Sequence, residues 1–277
     1  MSWLEGLDAW REQILSPKYL GWLFDGWLVT LWASVLVIAA STVLGLLFAV
    51  VRSSPSRPLR WSAKAYVSLF RNTPLLVQLF FWYFGAPSLL PEAAREWLYT
   101  GHVWPLFGGL VSLRWPSFEF TTAILGLVLY ATAYVGEEIR SGIRGVAEAQ
   151  THAASALGMT RWQVMRFVVL PQALRITLSP LMGQYMNIVK NTSLAMAVGL
   201  VELSYTSRQV EADTFKTFQA FGIATLLYVA TIAAMEVLSA WLAGRSRLAK
   251  ASATTPAPQA AAHALSRVNP PPLPHAP

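Results

Sequence analysis

Residues 26–51 read GWLVTLWASVLVIAASTVLGLLFAVV, and none of them is charged. At ~1.5 Å per residue, a helix over this run crosses a ~30 Å hydrocarbon core with some tilt. The rest of the chain agrees with that reading. Of its 277 residues, 55% are hydrophobic and 13% charged, and the mean hydropathy is +0.44. Soluble domains carry roughly 25% charged residues, so a water-facing surface is hard to build here. Twelve Trp fit the membrane–water boundary, where an apolar ring and a polar N–H both find partners. The run is therefore the first span of an all-α membrane protein with the lipid bilayer as its solvent.

Working outward, residues 3–15 place Trp3, Leu7, Trp10 and Ile14 on one helical face, with Glu5, Asp8 and Glu12 off it. That helix is too short to span and suits the interface. Segment 1–19 is read as an amphipathic periplasmic start, 20–248 as the transmembrane domain and 249–277 as a disordered Ala/Pro-rich tail. After the first span comes a basic, Pro-punctuated loop with Arg52, Arg57, Arg60 and Lys64. A second span is expected at 66–90, a third at 120–136, a fourth at 176–201 and a fifth at 217–243. Between the second and third lies a Trp-rich segment broken by Pro105, Pro116 and Gly108–Gly109. Between the third and fourth lies a polar stretch, 137–166.

Positive residues mark cytoplasmic loops. The loop 52–64 is purely basic, and so is the segment with Arg245, Arg247, Lys250 and Arg267. The N-terminus is acidic, and 202–216 carries Glu202, Glu211 and Asp213 against Arg208 and Lys216. About five spans, with the N-terminus outside and the C-terminus in the cytoplasm, satisfy all of these. The net charge of +7 is thus a topology signal rather than a nucleic-acid surface. There is no Cys, no G-x-x-x-x-G-K-[ST] phosphate loop, and no G-x-S-x-G or H-E-x-x-H pattern. The four His are scattered without metal-ligand spacing. Transport is a better expectation than membrane catalysis.

The stretch 145–202 reads GVAEAQTHAASALGMTRWQVMRFVVLPQALRITLSPLMGQYMNIVKNTSLAMAVGLVE. It resembles the EAA loop of ABC-importer permeases, a Glu-Ala-Ala followed by Gly and then Leu-Pro. The matching positions are His152, Ala153, Ala154, Gly158, Leu170 and Pro171. Phe70-Arg71-Asn72-Thr73-Pro74-Leu75-Leu76-Val77-Gln78 resembles the second-span signature of polar amino-acid permeases. Ala133-Tyr134, Glu138 to Ile143 and Lys190-Asn191-Thr192-Ser193-Leu194 fit the same family. Gly199 to Leu203 and Phe215 to Phe221 are most similar to glutamate/aspartate permease subunits. The likeness covers roughly residues 20–245.

The resemblance implies a type I importer permease in a bacterial inner membrane. It implies two ATP-binding cassette subunits, a second permease subunit that is related or identical, and a periplasmic amino-acid-binding protein. It implies no cofactor in this chain, since ATP is held by the partner subunits. The loop 145–171 would carry a coupling helix docked in a groove of the ATPase. Ala153, Ala154 and Ala156 would let it sit close, and Gly158 would end it sharply. Arg161, Trp162 and Arg166 would be interfacial, and Pro171 would begin the next element. The sequence departs from the motif at His152, where the family has Glu. A neutral His only hydrogen-bonds, and a protonated one repels basic groups. Glu148, four residues earlier, shares nearly the same helix face.

Lys190 stands inside the fourth expected span. An ammonium at a helix centre costs about 2.5–3.5 kcal/mol on insertion scales, so it normally faces a partner or a wet cavity. Asn187, Asn191, Thr192 and Ser193 surround it, and together they predict a polar path that draws a carboxylate. The plainer reading is a snorkelling lysine. For Glu137, Glu138, Arg140 and Arg144 the plainer reading is a solvated helix end with local pairs, against a gate contact across two permeases.

Overall fold

The computed structural model describes residues 15–54, 56–106, 111–114 and 116–253. The expected helix at 3–15 lies outside these apart from Leu15, and 254–277 of the expected tail lies outside them too. The chain divides into two units, 1–239 and 240–277. The second contains the end of the last helix, which runs to Ala253.

Four helices are long and apolar enough to cross a membrane among the described residues. They are α1 (Pro17–Arg52), α5 (Phe118–Gly145), α7 (Arg161–Val198) and the stretch Thr217–Gly244 of α9 (Thr217–Ala253). Between α1 and α5 lie α2 (Arg57–Arg71), α3 (Leu75–Ser88), α4 (Glu92–Tyr99) and a hairpin of β1 (Val103–Leu106) and β2 (Val111–Arg114). Between α5 and α7 lies α6 (Glu148–Ala156), and α8 (Leu203–Thr214) precedes α9. The fold is helical, as expected, with the small hairpin as a local addition in the Trp-rich segment.

Three expected elements change. The basic stretch after α1 is not a loop but is helical from Arg57. Pro58 fits a first helical turn, and Ala63, Val67 and Phe70 form a buried stripe at helical spacing. The second span is not one helix either. Residues 66–71 finish α2, and the apolar part is α3, about 21 Å long at ~1.5 Å per residue. Pro74 breaks the two apart, because it lacks an N–H and pushes Thr73 out of helical geometry. The Gln78 amide nitrogen stitches the break by donating to Phe70 O (3.0 Å), Thr73 O (3.0 Å) and Thr73 Oγ1 (2.6 Å).

The fourth expected span also starts earlier. α7 begins at Arg161 after a Thr160–Gln163 capping box. It passes through a π-type segment, Val164–Val169, and returns to α geometry at Leu170. Pro171 therefore lies within a continuous rod rather than at its beginning. The π-type segment ends just before Pro171, a place that fits the break a residue without an N–H makes in the helical ladder. Gln172 Nε2 adds a bond to Val168 O at 3.0 Å.

α1 packs most extensively on α5, and α5 on α7. Without small residues these helices could not approach so closely. A β-carbon on Gly45 would lie 2.9 Å from Gly136 N, and one on Gly142 would lie 2.7 Å from Ala173 O. Val37, Leu79, Leu127, Ala131 and Ile188 fill the core between the helices. A second cluster, Leu23, Leu203, Val210 and Ala220, ties α1 to α8 and the start of α9.

Candidate functional site

The link between α5 and α7 is a compact unit. α6 ends in a Schellman motif: Met159 N–H donates to Ala154 O (3.3 Å) and Gly158 N–H to Ser155 O (3.0 Å). Gly158 has φ +80°, and a β-carbon there would meet nothing within 4 Å. Its backbone angle, not crowding, is what calls for glycine. One residue on, Thr160 N–H donates to Gln163 Oε1 at 2.8 Å and Gln163 N–H to Thr160 Oγ1 at 3.4 Å. Two helix ends are thus satisfied within a few residues.

The unit rests on its own small core of Val146, Ala154, Val164, Val169 and Ala173. Ala154 therefore faces inward, and of the three alanines only Ala153 and Ala156 are exposed. The Schellman turn dictates this, because it folds Met159 back over Ala154. His152, Glu148 and Arg161 are exposed, as is Pro171 farther along α7. Leu157 is 83% exposed and Trp162 63% exposed. The outer surface of the link is therefore apolar at two large side chains, bordered by His152 and Arg161.

On α7 the five polar residues separate. Asn187 and Lys190 are exposed on one side of the helix, and Asn191 and Ser193 are half-buried. Thr192 is fully buried, and its hydroxyl donates to Val189 O at 2.8 Å, so it lines nothing outside. Ser193 Oγ donates to Lys190 O at 2.7 Å. Lys190 forms no ion pair among the described residues. The helix tightens to a 3₁₀ form at Thr192–Val198 and stops at Gly199, φ +85°. A β-carbon at Gly199 would lie 3.0 Å from Glu119 Cγ. Nearby, Tyr185 OH and Thr42 Oγ1 share a hydrogen bond of 2.8 Å between α7 and α1.

Sequence reasoning missed two polar centres. Glu202 is 0% exposed, not a solvated loop acid. Its carboxylate accepts from Tyr205 N–H (2.9 Å), Tyr228 O–H (2.6 Å) and Thr30 Oγ1–H (3.3 Å), joining α1, α8 and α9. Thr30 Oγ1 in turn accepts from Leu203 N–H at 3.1 Å. Burial pushes the Glu202 carboxyl above its ordinary range, and its hydrogen bonds oppose that only in part. The available signal was its place immediately before α8, where an acid caps a helix start.

The other centre joins chain positions 85 apart. Arg52, at the end of α1, pairs with Glu137 of α5. Arg140 also binds Glu137, with Nη2 at 2.7 Å and Nε at 3.1 Å. The local Glu137–Arg140 pair was legible as helical neighbours, and the Arg52 partner was not.

The family described as "Binding-protein-dependent transport system inner membrane component" matches residues 41–248. The glutamate/aspartate import permease protein GltJ of Escherichia coli (strain K12) is 32% identical over 230 residues, 83% of this chain and 89% of that protein. The probable glutamine ABC transporter permease protein GlnM of Bacillus subtilis (strain 168) is 35% identical over 205 residues, covering 74% and 84%. A crystal structure of an amino acid ABC transporter with histidines superposes at TM-score 0.68 with 27% identity, covering 82% of this chain and 95% of the other. The chain belongs to the family of inner-membrane components of binding-protein-dependent transport systems.

Proposed function

We propose that this chain is the permease subunit of an ABC importer for polar amino acids, with glutamate and aspartate as its main cargo. The observation that carries the reading is the link between α5 and α7. A short helix closed by Gly158 presents Leu157, Trp162 and His152 outward at the end of two long spans. That shape suits insertion into a groove of an ATP-hydrolysing subunit, which would hold the ATP. Coupling then runs from α6 through the shared core at Ala154 and Ala173 into α7. Because α6 and α7 share that core, displacement of one moves the other.

The same reading puts the α5–α7 link and the Arg57–Lys64 region in the cytoplasm, with the N-terminus outside. The basic residues support this orientation. Glu202 drops out of that charge balance because it is buried, while Glu211 and Asp213 remain. A second permease subunit would complete the pathway, and a periplasmic binding protein would deliver the cargo. Asn187 and Lys190 lie on one exposed side of α7 and would line the route, with the ammonium drawing the cargo carboxylate.

Acidic cargo rests on the likeness to the glutamate/aspartate permease. The comparable likeness to a probable glutamine permease favours a second reading, a broader polar amino-acid range. Uptake of radiolabelled glutamate in complemented null cells separates them. Competition by unlabelled aspartate alone supports acidic cargo. Equal competition by glutamine, arginine and histidine supports the broad range. Uptake that persists without the ATPase subunits would remove both.

A further inference from the structure

A polar cavity of about 310 Å³ lies among the end of α1, the face of α2 and α5. Its charged lining residues are Arg52, Lys64, Arg71 and Glu137, three cations against one carboxylate. Glu137 is already engaged by Arg52 and by Arg140 from just outside the lining. Among the described residues, the Lys64 and Arg71 side chains have aromatic partners only: Lys64 Nζ is 5.4 Å from the Trp61 ring centroid, and Arg71 Cζ is 5.2 Å from that of Tyr134. Arg52 also experiences the positive charges of Arg71 and Arg140. Gathering like charges around a void is unfavourable unless an anion enters. Ser68, Asn72 and Tyr134 add neutral hydrogen-bonding groups to the wall.

We propose that this cavity binds a phosphoryl anion, supplied as the headgroup of an anionic phospholipid. Guanidinium and ammonium groups together are the usual protein partners of phosphate oxygens. The volume is at the small end of ligand pockets, ~300–1,000 Å³, and admits a headgroup but not a whole lipid. The adjoining surface supplies the rest. Trp61 of α2 is exposed and stands next to the Lys64 ammonium at the cavity, where a boundary Trp can lie along an acyl chain. Basic pockets between membrane helices bind such headgroups by this combination. The site is independent of cargo identity and of which way the chain faces, since it rests on α1, α2 and α5 alone.

The test uses the full importer complex in neutral detergent. Phosphatidylglycerol, phosphatidylcholine and inorganic phosphate are titrated separately, and bound lipid is counted by native mass spectrometry. Phosphatidylglycerol is expected to bind selectively over phosphatidylcholine. At about one surface-basic-residue's worth each, Lys64→Gln should weaken it about fivefold, and Lys64→Gln with Arg71→Gln about thirtyfold. Lys64 is exposed, so its single variant keeps the wild-type melting temperature in phosphatidylcholine and serves as the folded control. Equal binding of the two lipids, or unchanged phosphatidylglycerol binding in both variants, would overturn the proposal. Binding of inorganic phosphate as strong as that of the lipid, weakened equally by the two variants, would overturn the lipid assignment in favour of a soluble phosphate.

Discussion

Replacing Glu202 with leucine should destabilise the protein by about 2–3 kcal/mol, whereas Glu202→Gln should cost less than about 1 kcal/mol. The difference follows from what each side chain leaves behind. Leucine removes the cap on α8, worth about 1 kcal/mol. It also removes the short bond from Tyr228, a hydrogen bond to a charged group worth about 1.5 kcal/mol at the low end. The low end applies because Tyr228 OH keeps Ser204 Oγ at 3.1 Å and Thr30 Oγ1 keeps Gly26 O at 3.2 Å. Glutamine retains an acceptor for Tyr205 N–H at Oε1, while its amide NH2, in the place of the other oxygen, can donate to Tyr228 OH and to Thr30 Oγ1, with the Tyr228 proton turning to Ser204 Oγ. For a chain of this size about 2–4 °C accompanies each kcal/mol, so leucine should lower the melting temperature by about 5–10 °C. The pH dependence adds a second arm. The folded carboxyl is raised, so its contribution is fully present below its ordinary 4.5 and is lost as pH rises through the folded value. Wild type should therefore lose stability relative to Glu202→Gln as pH rises from 4.5. Equal melting temperatures for the leucine, glutamine and wild-type proteins would refute the reasoning. A wild-type stability that rises relative to Glu202→Gln over that range would refute it too.

Three further outcomes are expected. Gly158→Val puts a β-branched residue at φ +80°, costing about 1–2 kcal/mol locally. Transport-coupled ATP hydrolysis of the assembled complex should fall while the spans keep their helical circular-dichroism signal. Gly45→Val drives a side chain into the Gly136 backbone and should cost about 1–3 kcal/mol or more, read as reduced melting temperature and membrane yield. Lys190→Ala should leave the melting temperature unchanged, because Lys190 is exposed and unpaired among the described residues, yet lower uptake of labelled glutamate at least tenfold.

The spans were legible because charge-free length is a local property. Residues 26–51 announce α1 without any knowledge of what packs against it. The same logic failed where basic residues sit on a helix. Arg57, Arg60 and Lys64 looked like a loop, yet Ala63, Val67 and Phe70 bury one side of α2 while the cations stay outside. Local signals also located the turn at Gly158, since only glycine tolerates that backbone angle cheaply. They could not show that Ala154 faces inward or that Thr192 is buried, because helix rotation is set by neighbours. Glu202 and the Arg52–Glu137 pair were hidden for the same reason. Their partners are 172 and 85 positions away, and no spacing rule reaches that far.

The most direct test reconstitutes the purified permease in liposomes with its ATPase subunits and binding protein, with labelled glutamate and the binding protein outside and ATP enclosed. The account predicts accumulation that requires ATP, the binding protein and an intact α6, and that stops when Gly158→Val or the deletion of Leu157 uncouples the link. Accumulation by the permease alone, or with ATP and the binding protein omitted, would contradict it.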